Sequence, residues 1–436
     1  MIRNIIIGID GGCFESILPL IKKNLLPNFK KIINEGYSAP VQVTVPHATI
    51  PSWPCLFSGL EVSELGYYTF IHPTRGIFNS KVWRDKSILS IKDLKIFAIN
   101  VPGTYPAWPI NGEMITGILS PSISCYPKEL QEKIEDKWII EGKNLSEILS
   151  AFEMKKNLFL KKIKEDFDLL VFVIRVPDAI SHRVLGEKET ILNAMNLGYK
   201  KIDEFLGEIL EEKQFDNLLI FSDHGLKFYN KVLYFPRLLE KKGLLYLNEL
   251  KGKRINSLIL KFYDIIRPLL RVSLSKKVYQ KLFNAEKREI ERKKDRKLTF
   301  FDKSKPKTFI QKLTSNMGAL FLFGKDQEKK TKIKEQLEKD KHIDQIFEYS
   351  KLGFPDFLIA LKDDFIFFKD CSYFLKRNTE VFSHTNRGFF MAYGKNIRKD
   401  STNLINYLDI APTILKLYDK EKPNYMKGKA LNIFKI

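Results

Sequence analysis

The sequence predicts an α/β fold: a mostly parallel sheet with helices on both faces, interrupted by an inserted α-rich cap. Short apolar runs at 4–10, 95–100, 169–175, 218–223, 357–361 and 389–393 have the length and the β-branched or aromatic content of buried strands. Helical patterns lie between them, at 27–35, 145–166 and 189–212, and such alternation builds a sheet covered on both sides. Asp10 and Asp223 end two of the runs, and Asp178 follows a third by a few residues. Three distant carboxylates therefore fall at the carboxyl ends of strands, where sheets of this kind gather ligands.

Length and composition bound the rest. A chain of 436 residues exceeds the span of one hydrophobic core, and 44% hydrophobic residues with 12% aromatics exclude a disordered protein. The segment 226–350 differs from its surroundings. It is lysine-rich and helical at first, then runs into a strand-like GALFLF at 318–323 and a charged helix at 327–341. It reads as a cap inserted into a core formed by 1–225 and 351–436. The net charge is +21, and residues 251–300 alone carry 16 Lys/Arg against 5 Asp/Glu. Such a stretch either attracts phosphorylated substrates, lipid headgroups or an anionic membrane surface, or is a solvated helical face. Nucleic acid is not an expected partner.

Cys13, Cys55, Cys125 and Cys371 are far apart, with no C-x-x-C pair, so they suggest neither a disulfide framework nor a thiolate zinc site. The leading apolar run is short for a secretory signal, and no segment approaches the roughly 20 apolar residues of a membrane span. A cytoplasmic protein is the expectation.

Four motifs carry candidate chemistry. In FSDHG, Asp223 and His224 follow a strand-like run, where a bend turns adjacent side chains toward one ion; the same pattern suits a structural turn. In PDAISH, Asp178 and His182 are four apart, and in a helix they share a face that reaches one metal. Alone, Asp178 would also serve as a helix cap. His384, in FSHTNRG, lies among polar residues ahead of a strand. In TVPHATIPSWP, Thr49 precedes Ile50-Pro51, which suits a helix start where free N–H groups favour an anion and a hydroxyl could attack phosphorus. A plain threonine cap is the other reading. His47 is close enough in sequence to line the same pocket, whereas His342 looks structural.

Together these pieces resemble the alkaline phosphatase superfamily, in its type I phosphodiesterase/nucleotide pyrophosphatase branch. GIDGG, LPNFKKIINEG, the Thr49 segment, NVPGTYPAWPINGEMITG, PDAISH, FSDHG, FSHTNRG, LDIAPTILKLY and GKAL stand in the family's order. The resemblance implies an alkaline phosphatase-like fold and two divalent ions about 4 Å apart. Asp10, Asp223 and His224 would hold one beside the Thr49 oxygen, and Asp178, His182 and His384 the other. Zinc suits the Asp/His set, and manganese or iron is compatible with it. It further implies in-line attack by Thr49 and a phospho-threonine intermediate. A phosphomonoesterase or phosphomutase would use the same site, and a membrane-surface or binding protein with a structural metal is the reading from another class. The branch's nucleotide pyrophosphatases carry an asparagine about twenty residues after the threonine, where this chain has Tyr67, Tyr68, Thr69 and Phe70. Cys55 is followed by Leu-Phe-Ser, which excludes the C-x-P-x-R pattern of sulfatases.

Overall fold

The strand Asn4–Ile9 is buried at every position and lies at the middle of a ten-stranded sheet. The computed structural model describes residues 3–72, 75–134, 138–212, 215–244, 307–312, 317–323, 327–349, 355–362, 365–368 and 375–435. Parallel neighbours flank Asn4–Ile9, with Leu169–Ile174 on one side and Asn217–Phe221 on the other. Beyond Leu169–Ile174 come Ile96–Val101, Gly112–Thr116 and Cys125–Tyr126. Beyond Asn217–Phe221 come Arg387–Gly394, antiparallel to both its neighbours, then Tyr37–Gln42, whose far edge pairs with the short strands Asp400–Ser401 and Ile405–Asn406. The sheet is therefore mixed, with a parallel centre.

Alternation along the central strands sorts side chains onto two cores. Ile6, Val171 and Leu219 pack on one face with Trp53, Phe57 and Phe390. Ile5, Ile7, Leu170, Phe172, Leu218 and Ile220 pack on the other, against Phe152 and Phe159 of the helix Leu145–Ile163 and Ile202, Phe205 and Leu206 of Lys188–Glu211. Each fully buried aliphatic side chain contributes about 1.5–3 kcal/mol, which is why these uninterrupted apolar runs settle in the centre and leave the edges to short strands. The helix Leu145–Ile163 begins where Asn144 accepts a hydrogen bond from the Glu147 N–H at 3.0 Å.

The inserted segment leaves the core immediately after His224. Its first strand, Gly225–Tyr234, pairs antiparallel with Leu375–Thr385, setting Gly225 opposite Thr385 and Leu226 opposite His384. Phe365–Phe368 completes this small sheet. A four-stranded sheet follows, in the order Lys307–Lys312, Met317–Phe323, Phe357–Leu361, Ile343–Glu348, with the helices Phe235–Lys241 and Gln327–Glu338 nearby in the chain. Here the sequence reading needs correction. Phe357–Leu361 was expected in the parallel core, but it pairs with Met317–Phe323 and Ile343–Glu348. The chain rejoins the main sheet at Arg387–Gly394, well past residue 351. Five apolar residues, four of them buried, satisfy either sheet equally, so composition could not decide between them. The basic stretch 251–300 and Cys371 lie outside the described residues.

Candidate active site

The three central strands end level with one another, since Gly8 is opposite both Val173 and Phe221. Asp10, Arg175 and Asp223 therefore emerge side by side at the carboxyl edge. Gly11, at φ +77°, lets the chain turn there. A Cβ at this position would come within 2.9 Å of Leu226 Cδ1 and 3.2 Å of the Asp178 nitrogen. The turn aims the Gly11 N–H at Asp223 Oδ1, 3.2 Å away. Asp178 sits in the first turn of the helix Val176–Arg183, one turn before His182.

Each aspartate has one oxygen occupied by protein donors and the other turned inward. Asp10 Oδ2 accepts from Trp53 Nε1 at 3.2 Å and from Arg175 Nε at 3.1 Å. Its Oδ1 lies 3.4 Å from Thr49 Oγ1 and 3.4 Å from His224 Nε2. Asp178 Oδ2 accepts from Arg175 Nη2, while its Oδ1 is 3.3 Å from His182 Nε2 and 3.2 Å from His384 Nε2. Asp223 Oδ1 accepts from the Gly11 N–H, and its Oδ2 lies 3.4 Å from His224 Nε2.

Two histidines are oriented by backbone carbonyls, which can only accept. His224 Nδ1 must donate to the Gly225 carbonyl at 3.2 Å, and His384 Nδ1 to the His47 carbonyl at 3.3 Å. Their Nε2 atoms then present lone pairs to carboxylate oxygens, an arrangement that calls for a cation between them. Asp178 Oδ1, Asp223 Oδ2 and His224 Nε2 are buried without a hydrogen-bond partner. Buried polar atoms are rarely left so, and those here fit metal coordination. Two groups form, Asp10/Asp223/His224 and Asp178/His182/His384, with the ligand atoms within each no more than 4.8 Å apart. The rings of His224 and His384 stack at 3.9 Å between centroids, so the groups adjoin.

The electrostatics agree. Burial pushes Asp10 up to about 6, with the Asp178 charge acting the same way and Arg175 opposing. Burial also raises Asp223 well above the usual carboxylate range, reinforced by Asp10 and Asp178. At Asp178 burial is outweighed by His182 and Arg175, which hold it well below that range. His224 is driven well below ordinary imidazole by burial and by the neighbouring His384, whereas His182 is raised by Asp178. Buried carboxylates crowd beyond what Arg175 alone neutralises.

All seven residues singled out from the sequence are brought together. Thr49 opens the helix Thr49–Ser58, although Ile50 is extended (φ −112°, ψ 120°), so regular turns start only after it. Thr49 and Trp53 reach the two oxygens of the same carboxylate. His47 contributes its carbonyl to His384, and His342 pairs with Asp340 at 2.8 Å in a structural role. Tyr67 is buried against His72 and Phe78. Burial raises the Cys55 thiol well above its ordinary value, consistent with a packing role. The sequence reading missed Arg175 and Trp53 as partners of Asp10, and Gly11 as the donor to Asp223. The glycine pair after Asp10 was the available signal for the last.

Fold and site define the class: an alkaline phosphatase-like hydrolase with a central mixed sheet and two adjoining clusters suited to metal ions. The family model for type I phosphodiesterase / nucleotide pyrophosphatase matches residues 4–367, and the chain belongs to that family. Its activity is accordingly metal-dependent hydrolysis of the phosphodiesterase/pyrophosphatase type, on a phosphorylated substrate. Murine ectonucleotide pyrophosphatase/phosphodiesterase 5 matches with TM-score 0.56 and 13% identity over 96% of this chain and 95% of that chain. An inactive form of the murine protein, in complex with AMP, gives TM-score 0.56 and 12% identity over 97% and 96%. The human counterpart gives 0.55 and 13% over 97% and 96%. At such identities the likeness speaks for the fold. Comparison with curated proteins gives no match.

The cytoplasmic expectation is corrected by these structures, which are of ectonucleotide enzymes. Cys13 and Cys55 are free and buried. Among the described residues no helix is long and apolar enough to cross a membrane.

Proposed function

We propose that the chain cleaves a phosphodiester or pyrophosphate bond by attack of Thr49 Oγ1 on phosphorus. Asp10, Asp223 and His224 would hold one divalent ion beside Thr49, whose oxygen would share it, and Asp178, His182 and His384 the other. The donor set suits zinc, and manganese is compatible with it. When bound, two such ions neutralise charge on the transferred phosphoryl group.

The observation that supports this reading is the approach of Thr49 Oγ1 to Asp10 Oδ1 at 3.4 Å, beside two clusters with buried unpartnered atoms. Asp10 orients the hydroxyl, and Trp53 and Arg175 keep Asp10 from turning. In the first half-reaction Thr49 Oγ1 loses its proton and bonds to phosphorus as the bond to the leaving oxygen breaks, and the leaving oxygen takes up a proton. In the second, water loses a proton as it attacks the phospho-threonine, the Oγ1–phosphorus bond breaks and Oγ1 takes a proton up, which restores the hydroxyl. The substrate is a phosphorylated small molecule or lipid headgroup. The charge of residues 251–300 supports attraction to anionic headgroups or a membrane surface.

Thr49→Ala tests the assignment. The variant should fold and hold metal as the parent does, with turnover of a nitrophenyl diester reduced to background. Near-parental turnover would make Thr49 merely the start of a helix.

A further inference from the structure

Arg175 stands between the strand Leu169–Ile174 and the helix Val176–Arg183. Its side chain is 11% exposed and meets three carboxylates: Nε on Asp10 Oδ2 at 3.1 Å, Nη2 on Asp178 Oδ2, and Nη1 on Glu141 Oε1. Asp10 and Asp178 belong to different clusters. Among the described residues outside the clusters, Arg175 is the side chain seen to bind a carboxylate of each. In both cases it takes Oδ2, leaving Oδ1 to face the histidines.

The guanidinium is itself held. Glu141 also accepts from Arg183, in the last turn of the helix that carries Asp178 and His182. The backbone beside Glu141 is anchored by Lys155, whose Nζ donates to the Ile140 carbonyl at 2.7 Å and to Asn100 Oδ1 at 3.2 Å. Asn100 Nδ2 in turn donates to the Val173 carbonyl at 2.7 Å, close to the end of the strand leading to Arg175. A planar fork gripped in this way sets the planes of two carboxylates at once, which a single ammonium could not do.

We propose that Arg175 is a positioning residue for metal binding, fixing Asp10 Oδ1 and Asp178 Oδ1 toward their sites so that the two clusters are preorganised as one unit. This rests on the two-cluster reading given above. Charge and geometry make opposite predictions here. A nearby positive charge repels divalent ions, so removing it should tighten binding if charge were all that mattered. Loss of an orienting partner of a ligand instead costs about 10–100-fold in metal affinity. Arg175→Lys keeps the charge and removes the fork.

The test is titration of the chelator-stripped full chain with zinc, in competition with a chromophoric chelator, for the parent, Arg175→Lys and Arg175→Met. Nitrophenyl diester kinetics across zinc concentrations accompany it. The parent should take up two ions. Both variants should weaken at least one site by about 10–100-fold, with kcat recovering as zinc is raised and KM changing little. Parental dissociation constants in Arg175→Lys, or tighter binding in Arg175→Met, would overturn the positioning role and leave the two-cluster reading intact. If the parent itself takes up no zinc, the two-cluster reading fails first. Should Arg175→Met not fold, Arg175→Lys decides alone.

Discussion

Replacing Asp10 with asparagine should make the metal-free protein more stable at neutral pH. Asp10 ionises near pH 6 in the folded chain against an ordinary value of 3.8. Between those values the native state keeps a proton that the unfolded state has lost, so stability falls as pH rises through the window. Above it the whole cost persists: about two pH units at about 1.4 kcal/mol each, or roughly 3 kcal/mol. An asparagine removes this cost and fits the contacts. Its carbonyl can accept from Trp53 and Arg175, while its amide faces Thr49 Oγ1 and the lone pair of His224 Nε2. Urea unfolding in chelator gives the readout. At about pH 7.5 the variant should exceed the parent by roughly 3 kcal/mol, and below about pH 4, where both side chains are neutral, the difference should vanish. Saturating zinc should reverse the order, because a ligand that binds the native state stabilises the protein with the intact site. A variant less stable than the parent at about pH 7.5 without metal would refute the reasoning.

Two further outcomes follow from packing and from charge. A Cβ at Gly8 would meet Trp53 Cη2 at 2.4 Å and Val173 Cγ2 at 2.9 Å, so Gly8→Ala should lower stability by about 1–3 kcal/mol. It should also weaken zinc binding by displacing the indole that holds Asp10; an unchanged urea midpoint would contradict this. Residues 32–74, which include Thr49, contain no lysine or arginine, and Arg175 is engaged by carboxylates. Diesters should therefore be hydrolysed faster than the more highly charged monoesters under equal metal loading. A monoester preference of tenfold or more in kcat/KM would move the assignment to a phosphatase or phosphomutase.

What the sequence disclosed was local. The four-residue spacing of Asp178 and His182 implied a shared helix face, and Val176–Arg183 provides it. Apolar runs ending at or near Asp10, Asp178 and Asp223 implied a common sheet edge, because α/β sheets gather ligands at the carboxyl ends of their strands. Partnership between distant segments left no such trace. Phe357–Leu361 looks like any core strand, and its sheet is decided by Met317–Phe323 and Ile343–Glu348. Arg175 belongs to no motif; its role depends on Glu141, far back in the chain, and on Lys155 anchoring the backbone next to it. The edge strands Cys125–Tyr126 and Asp400–Ser401 are two residues long, too short for any periodicity to show.

The ladder that sets Leu226 opposite His384 also brings the two ends of the inserted segment together at the site. Tyr229 Oη donates to the His384 carbonyl at 2.6 Å, so the last histidine is clamped from within the first few rungs. His224 and His384 are thus joined by backbone pairing as well as by their stacked rings. The seam is therefore a natural graft junction. Replacing the segment beyond the first rungs should keep His224 and His384 in register, and zinc titration of such a chain would check it. A minimal version, with the ladder closed by a tight turn, would show whether both clusters form without the rest of the insertion.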